Sequence, residues 1–267
     1  MNLRNADIQS VAQALLQAEQ TREQIGLISL QYPQITLDDA YAIQKAQIEH
    51  KMAAGRTILG WKIGLTSKVM QDALGITTPD SGVLYDDMLF HSGSDVPKDR
   101  FIQPRIEAEI AFVLKDTIDA NATREDVLDA TDYVTPAIEI LDTRVLRKDS
   151  ATGKPRVIFD TVADNAANAG IVVGDARHNP REFDLRWVGA VVYAGDEVVS
   201  TGLGAAVLDD PVESVLWLSR RMQTYGQRLE AGQIVLSGSF VAPIECPPGT
   251  SIVTDFGSFS KVSIRFS

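Results

Sequence analysis

The hydrophobic positions in the first half of the chain recur with the spacing of amphipathic helices. Residues 6–25 place apolar side chains on one face, which predicts a helix there. The sequence TLDD at 36–39 has the form of a capping box, and it predicts a second helix that ends at Gly55. Further helices are predicted over 67–74, after a cap at Thr123, and from Asp210-Pro211 to about Tyr225.

Apolar runs of strand length, some with clean alternation of polar residues, predict strands elsewhere. These runs cover 103–114, 135–142, 188–193, 197–201 and 261–266, and the third and fourth form a predicted hairpin. Because many short strands occur with few crossover helices, the pattern favours a mixed, β-rich α+β fold over a doubly wound sheet. We place a boundary near residue 75, between a mostly helical N-terminal region (1–75) and a body (76–267) on which it packs.

Two glutamates interrupt the strand predicted over 103–114. Residues i and i+2 of a strand point to the same face, so Glu107 and Glu109 project together, roughly 6.6–7 Å apart along the strand. Two ionised carboxylates at this spacing repel each other, and their burial is costly unless a cation compensates. Solvent, a salt bridge from elsewhere in the chain, or a divalent metal ion could each provide that compensation.

A third carboxylate, Glu139, stands alone in the apolar strand predicted over 135–142. With Glu107 and Glu109 it would complete a site whose ligands are all oxygen atoms. Hard oxygen ligands without nearby Cys or His suit Mg²⁺ or Mn²⁺ better than Zn²⁺. Three carboxylates also leave coordination positions for water and substrate. The sequence therefore predicts a Mg²⁺ or Mn²⁺ site at these three glutamates.

Composition narrows the classes of partner. The net charge is −11, with 25 Lys and Arg against 36 Asp and Glu, which argues against nucleic acid and anionic membrane. An anionic substrate would then need a local positive site. The single Cys246 excludes an intrachain disulfide. The first residues lack the apolar region of a signal peptide, and no apolar stretch is long enough to span a bilayer. We expect a cytoplasmic enzyme.

Five segments that span nearly the whole chain carry a family resemblance. They are GWKIGLTSK at 60–68, PDSG at 79–82, QPRIEAE at 103–109, FDTVADNAANAG at 159–170 and GQIVLSGS at 232–239. In this order they resemble the 2-hydroxy-dienoate hydratase and 4-oxalocrotonate decarboxylase family, which implies a fumarylacetoacetate-hydrolase-like fold. LDTR at 141–144, with the basic stretch that follows to Arg156, resembles the branch that acts on a seven-carbon diacid. Trp61 departs from the family pattern, in which His or Arg is expected before the lysine.

The resemblance also implies roles for residues outside the predicted metal site. Lys62, which the N-terminal region would contribute, is expected to anchor a substrate carboxylate or to move a proton. Asp80 is expected to share the acid–base work, with a plain turn residue as the alternative. The candidate substrate contacts are Arg105, Asp164, Ser237, Ser239, Arg144 and Arg147. Either of the last two would pair with the distal carboxylate of a diacid, unless their segment is a solvated loop.

The implied reaction is metal-dependent addition of water to a 2-hydroxyhepta-2,4-dienedioate in aromatic catabolism, without a covalent nucleophile or an organic cofactor. A 4-oxalocrotonate decarboxylase, a 2-hydroxypentadienoate hydratase and a non-catalytic partner subunit are the alternatives. A hydrolase of the wider fold is disfavoured because no His accompanies a carboxylate in the metal segments. We expect a small dicarboxylate substrate, no nucleic-acid or membrane partner, and a homo-oligomer.

Overall fold

The chain begins with three helices: α1 (Asn5–Thr21), α2 (Ile28–Gln31) and α3 (Leu37–Ala53). The predicted capping box of α3 is confirmed, because Asp39 N–H donates to Thr36 Oγ1 and Thr36 N–H donates to Asp39 Oδ2. The computed structural model describes residues 1–68, 71–72, 76–97 and 99–267. The helix predicted over 67–74 therefore lies partly outside the described residues, and so does residue 75 at the proposed boundary.

The three helices bury their apolar faces in a core of their own. Leu15, Ile28 and Ile43 lie in this core, where they pack with Val145 and Val162 from the later part of the chain. The N-terminal helices thus share a core with residues from the later part of the chain. Among the residues that the structure describes, three further α-helices belong to the body: α4 (Arg124–Ala130), α5 (Ile158–Ala163) and α6 (Pro211–Gln223). None of the described helices combines the length and hydrophobicity that a membrane span requires.

An eight-stranded mixed sheet forms the centre of the body. Its strands run in the order β2 (Asp80–Tyr85), β1 (Ile58–Gly64), β10 (Ile234–Leu236), β5 (Arg105–Leu114), β6 (Thr131–Leu141), β7 (Asn168–Val173) and β3 (Leu89–His91), and β11 (Ile244–Glu245) also pairs with β5. The long strands β5 and β6 are antiparallel and pair along almost their full length. Since β1 pairs with β10, the strand that carries Lys62 belongs to this sheet although it precedes the proposed boundary.

A five-stranded sheet packs against the first. Its order is β4 (Ser94–Val96), β13 (Lys261–Phe266), β12 (Ser251–Asp255), β8 (Gly189–Ala194) and β9 (Glu197–Leu203). The predicted hairpin is confirmed as β8 and β9. Ile106 and Ile110 of β5 share one buried core with Ile252 and Ile264 of this sheet. The apolar face of β5 therefore points towards the second sheet, and the glutamates project from its other face. The α+β class is confirmed.

The first sheet curls until its β2 edge meets the turn that precedes β7. The Val83 N–H donates to Asn165 Oδ1 at 2.8 Å, and Asn165 Nδ2 donates to the Val83 carbonyl at 2.9 Å. An amide side chain has both a donor and an acceptor, so it can form hydrogen bonds with the backbone N–H and the backbone carbonyl of one residue. The curl brings side chains from β1 and β2 close to those of β5 and β6, and so it determines which polar groups share the interior.

Candidate active site

Three glutamates meet on the concave face of the first sheet. The antiparallel register pairs Glu107 directly with Glu139, and Glu109 follows Glu107 by two residues on the same face. One carboxylate oxygen from each residue lies within 4.8 Å of the others. Glu109 and Glu139 are fully buried, whereas Glu107 is partly exposed. The structure thus brings together the three residues predicted as metal ligands.

The cluster of glutamates is electrostatically unfavourable without a cation. Burial and the neighbouring Glu139 carboxylate raise the pKa of Glu107 to about 8. Burial, with repulsion from both other glutamates, also holds the pKa of Glu109 well above its usual range. The pKa of Glu139 is raised by burial too, although Lys62 opposes the shift. Buried charges need a compensating partner, and a divalent ion would stabilise all three carboxylates in their ionised form.

The hydrogen bonds of the two buried glutamates fit such an ion. Glu109 Oε2 accepts from the Gly238 N–H at 2.8 Å, and Glu139 Oε1 accepts from Asn168 Nδ2 at 2.7 Å. Within the part of the chain that the structure describes, the second oxygen of each, Glu109 Oε1 and Glu139 Oε2, is buried without a hydrogen-bond partner. One oxygen of each residue is therefore oriented by the protein while the other is left for a ligand. This donor set suits Mg²⁺ or Mn²⁺.

Lys62 lies between the glutamates and Asp80. Its Nζ is 3.6 Å from Glu139 Oε1 and 3.7 Å from Asp80 Oδ1, and all three side chains are buried. Burial lowers the pKa of Lys62, but the Glu139 and Asp80 carboxylates outweigh it and raise the pKa above its ordinary value. Burial also raises the pKa of Asp80, against the effect of Lys62. The lysine is thus a buried ammonium group in contact with two acids.

The pairing of β1 with β2 explains why these two residues meet. Lys62 is opposite Gly82 and Gly64 is opposite Asp80, so Lys62 and Asp80 lie two positions apart on one face of the pair. Trp61 projects to the other face, where it enters the apolar core and its indole N–H donates to Gln233 Oε1 at 3.1 Å. The departure of Trp61 from the family pattern is therefore on the face away from Lys62.

The segment 237–239 supports Glu109 through its backbone. Gly238 has a φ of +113°, and a Cβ at this position would overlap the Thr66 side chain, so glycine is required. Ser237 is buried beside it, and Ser239 Oγ donates to the Val241 carbonyl at 2.7 Å. Both serines thus lie next to the Gly238 N–H that orients Glu109. Their contact with substrate stays a prediction.

A strained turn delivers Asn168 to Glu139. Asn165, Ala166 and Ala167 have φ of 51°, 51° and 60° in succession, a left-handed conformation that costs residues with a side chain about 1–2 kcal/mol each. Strain of this kind persists where the surroundings hold it, and it clusters at functional sites. These residues lie within the family motif at 159–170, but the sequence by itself indicates no role for Asn168. Its position one residue after three strained ones could not be inferred from residue spacing.

Asp164 and Arg144 hold the start of this turn. Arg144 is buried, and its backbone N–H and its guanidinium group both donate to the Asp164 carboxylate. The guanidinium also donates to the carbonyls of Asp164 and Asn168, at 2.7 and 3.1 Å. These bonds engage Arg144 within the protein. The predicted contacts of Arg144 and Asp164 with substrate are not tested by this geometry and stay predictions.

Arg105 and Arg147 lie beside the glutamates, at the partly exposed end of β5. Both contact one carboxylate: Glu245 Oε1 is 2.8 Å from Arg105 Nε and accepts from Arg147 Nη1 at 2.6 Å. Arg147 Nη2 donates to the Gln103 carbonyl at 3.0 Å. Arg105 precedes Glu107 by two residues on the same face of β5. Of the two arginines predicted to recognise a distal carboxylate, Arg147 is therefore the one that joins Arg105.

Comparison with known proteins identifies relatives over the whole chain, although no family model matches. The chain is 50% identical to 2-oxo-hept-4-ene-1,7-dioate hydratase from Escherichia coli, over 96% of each protein. It is 41% identical to 2-keto-4-pentenoate hydratase from Paraburkholderia xenovorans, over 97% of this chain and 94% of the relative.

A solved structure agrees with these relatives. The 4-oxalocrotonate decarboxylase from Pseudomonas putida G7, complexed with magnesium and adipate, superposes with a TM-score of 0.93 and 32% identity. The superposition covers 100% of this chain and 99% of the decarboxylase chain. Since relatives above 30% identity match nearly the full length, the chain belongs to the 2-hydroxy-dienoate hydratase and 4-oxalocrotonate decarboxylase family, with its fumarylacetoacetate-hydrolase-like fold.

Proposed function

We propose that this protein is a divalent-metal-dependent hydratase that converts 2-oxo-hept-4-ene-1,7-dioate, or its 2-hydroxy-2,4-diene tautomer, into 4-hydroxy-2-oxoheptanedioate. The observation that carries the proposal is the contact of Lys62 with both Glu139 and Asp80. This contact supports an acid–base role for Lys62 and Asp80 beside the three-carboxylate site. The hydratase from Escherichia coli, at 50% identity, supports this choice of substrate.

Glu107, Glu109 and Glu139 hold the metal ion, which is Mg²⁺ or Mn²⁺. When bound, the ion supplies Lewis acidity towards the carboxylate and the neighbouring C2 oxygen of the substrate. Asn168 and the Gly238 N–H fix the two buried ligands through one oxygen each. Fixed ligands keep the substrate in one orientation, and orientation by itself contributes substantially to catalysis.

Lys62 and Asp80 move the protons. The hydroxydiene loses its 2-hydroxyl proton and gains a proton at C5, which yields a 2-oxo-3-ene. Water then adds its oxygen at C4 and leaves a proton at C3, so the net change is the gain of one water molecule. Lys62 is an ammonium donor, and Asp80 is a buried carboxyl group whose raised pKa favours acceptance of a proton. Lys62 Nζ and Asp80 Oδ1 are 3.7 Å apart, so both groups can act on the same bound substrate.

The product analysis of one assay tests this function. The purified protein with Mg²⁺ is offered 2-hydroxyhepta-2,4-dienedioate, and the mass of the product is measured by mass spectrometry. The expected product is heavier than the substrate by one water molecule, and a metal chelator abolishes its formation. Glu182→Gln, which changes an exposed glutamate, is the control and should behave like wild type. If the wild-type protein forms no water adduct, the proposal is contradicted. Turnover by the isolated chain also excludes a purely structural partner subunit.

Decarboxylation is the second candidate. The adipate-bound decarboxylase has a TM-score of 0.93 to this chain over its full length, and a site that stabilises negative charge at C2 also stabilises the charge left by departing CO₂. The assay separates the two reactions when 2-oxohex-3-enedioate is supplied as the alternative substrate. Release of CO₂ from this substrate, without a water adduct from the seven-carbon diene, would make the protein a decarboxylase.

The active form is a cytoplasmic homo-oligomer. The edge strand β9 supports self-association because it exposes Val198, Val199 and Leu203. Trp187, which lies two residues before the neighbouring strand β8, is exposed as well. Exposed apolar side chains along a sheet edge are typical of an interaction surface. Sedimentation equilibrium of the purified protein measures the mass in solution. A monomeric mass at micromolar concentration would contradict this part of the proposal.

A further inference from the structure

Three arginines line one small cavity next to the carboxylate site. Arg105, Arg147 and Arg156 contribute its positive groups, and Gln103 and Thr143 are among its other walls. Arg105 belongs to β5, whereas Arg147 and Arg156 come from the two ends of a loop closed by the bridge between Lys148 and Pro155. The loop therefore returns two cations to the same place on the strand.

The position of the cavity matches the length of a diacid. Arg105 and Glu107 are two residues apart on the same face of β5, which separates them by roughly 6.6–7 Å along the strand. Exposure increases from Glu109, which is fully buried, to the partly exposed Glu107 and Arg105. The carboxylate site thus opens towards the arginines. A dicarboxylate with one end at the glutamates would extend its other end in this direction.

Positive charge exceeds negative charge at the cavity, where three arginines face two carboxylates, the buried Asp142 and the exposed Glu245. Burial lowers the pKa of Arg156, and repulsion from Arg105 and Arg147 acts in the same direction. Arg156 Nη1 donates to Thr143 Oγ1 at 2.8 Å, and in the described part of the chain Arg147 Nε is buried without an acceptor. Glu245 contacts two of the arginines, but its side chain is 60% exposed and it lies on the two-residue strand β11. A second carboxylate would be favourable here.

We infer that Arg105, Arg147 and Arg156 bind the distal carboxylate of the dioate substrate, and that Glu245 holds the first two in place until the substrate arrives. The inference rests on the proposed function. A guanidinium group presents paired N–H donors that match the two oxygens of a carboxylate. Glu245 Oε1 already contacts one nitrogen of each of two guanidinium groups, so this exposed glutamate occupies the position that a substrate carboxylate would take. Arg144 is outside the cluster because Asp164 engages its guanidinium.

Substrate selectivity tests the inference. The variants Arg147→Gln and Arg156→Gln are assayed with 2-hydroxyhepta-2,4-dienedioate and with the monoacid 2-hydroxypenta-2,4-dienoate. We expect kcat/KM for the diacid to fall by roughly 10- to 100-fold, mostly through KM, which is the range expected for a lost hydrogen bond between charged groups. For the monoacid, kcat/KM should change by less than about twofold. Lys154→Gln removes one positive charge from an exposed position of the same loop, and it should leave kcat/KM for both substrates unchanged.

Ligand binding gives a second measurement that does not depend on turnover. Isothermal titration calorimetry compares adipate with hexanoate on the Mg²⁺-loaded protein. The arginine variants should lower the affinity for adipate and leave the affinity for hexanoate unchanged. Glu245→Gln should raise the affinity for adipate because it removes the competing carboxylate. Equal thermal stability of all variants shows that each is folded. A contrary result for Glu245→Gln, with weaker adipate binding, would mean that this glutamate does not compete with the ligand.

The outcomes separate this inference from the proposed function. If the wild type hydrates both dienes and the arginine variants leave the diacid-to-monoacid ratio unchanged, the arginine site is overturned and the hydratase stands. If the wild type hydrates neither diene, the hydratase is overturned. In that case a selective loss of adipate binding in Arg147→Gln and Arg156→Gln would still support a carboxylate site at this cavity.

Discussion

Asn168 donates from Nδ2 to Glu139 Oε1 at 2.7 Å, and the same oxygen lies 3.6 Å from Lys62 Nζ. The amide and the ammonium group therefore hold one oxygen of Glu139 from two sides. The second oxygen is buried and has no hydrogen-bond partner in the described part of the chain, and one carboxylate oxygen of Glu139 lies within 4.8 Å of the other two glutamates. A metal ligand oriented by a neighbouring donor binds more tightly, because its geometry is set before the ion arrives.

Loss of Asn168 should weaken the metal site without destroying the fold. In Asn168→Ala, Glu139 keeps its charge but loses its orienting donor, so we expect Mn²⁺ affinity to fall by about 10- to 100-fold. Titration of Mn²⁺, followed by electron paramagnetic resonance of the free ion, measures the affinity. Asn121→Ala, at an exposed position, is the matched control. Unchanged affinity in Asn168→Ala would show that the hydrogen bond does not position Glu139.

Neutralising one glutamate should separate metal binding from stability. Glu109→Gln removes one of three charges from the site, so we expect Mg²⁺ affinity to drop by at least about tenfold and activity to fall with it. In the absence of metal the same change relieves repulsion from Glu107 and Glu139, and the melting temperature should not decrease. Calorimetry and thermal denaturation measure the two effects. Full activity at micromolar Mg²⁺ would remove Glu109 from the metal site.

Lys62 should be required for turnover and dispensable for metal binding. In Lys62→Met, we expect kcat to fall by at least about a hundredfold, since a positioned proton donor contributes on this scale. The glutamates remain, so Mn²⁺ should still bind. Without metal this variant should be less stable, because Glu139 and Asp80 lose their buried cation. Lys45→Met, at an exposed lysine, provides the control. Wild-type turnover in Lys62→Met would exclude the lysine from the mechanism.

The N-terminal helices should contribute a pH-dependent part of the stability. Burial raises the pKa of Asp39, but donors from Thr36, Leu3 and Asn2 outweigh it and lower the pKa to about 2. A carboxyl group whose pKa is lowered in the folded state stabilises the fold above its unfolded pKa, near 3.8, and this stabilisation is lost as the pH falls towards 2. The linkage amounts to at most about 2 kcal/mol.

The variant Asp39→Asn measures this contribution. We expect a lower free energy of unfolding than wild type at pH 7, and a smaller difference between the two proteins at pH 2.5 to 3. Asp38→Asn changes the exposed neighbour in the same helical turn and should have little effect at either pH. Urea denaturation at several pH values gives the comparison. A difference that is constant with pH would show that the charge of Asp39 is not responsible.

The sequence by itself determined the local features of this protein. A strand repeats every two residues, so Glu107 and Glu109 had to share a face, and a capping box places its reciprocal donors and acceptors within four residues at Thr36 and Asp39. The lone carboxylate in the apolar strand over 135–142 indicated Glu139 as a third ligand, and the family motifs added Lys62 and Asp80. Each of these predictions depends on short-range geometry or on segments of sequence shared with relatives.

Only the tertiary structure decided which of the remaining polar groups face the site. The β5–β6 register places Glu139 opposite Glu107, and the curl of the sheet brings Lys62 within 3.6 Å of Glu139 across intervening strands. Arg144 and Arg147 look alike in the sequence, yet Arg144 is engaged by Asp164, twenty residues away, while Arg147 lies beside Arg105. Such pairings depend on long-range register and on competition among charges for buried partners. Neither the register nor this competition can be inferred from the spacing of residues along the sequence.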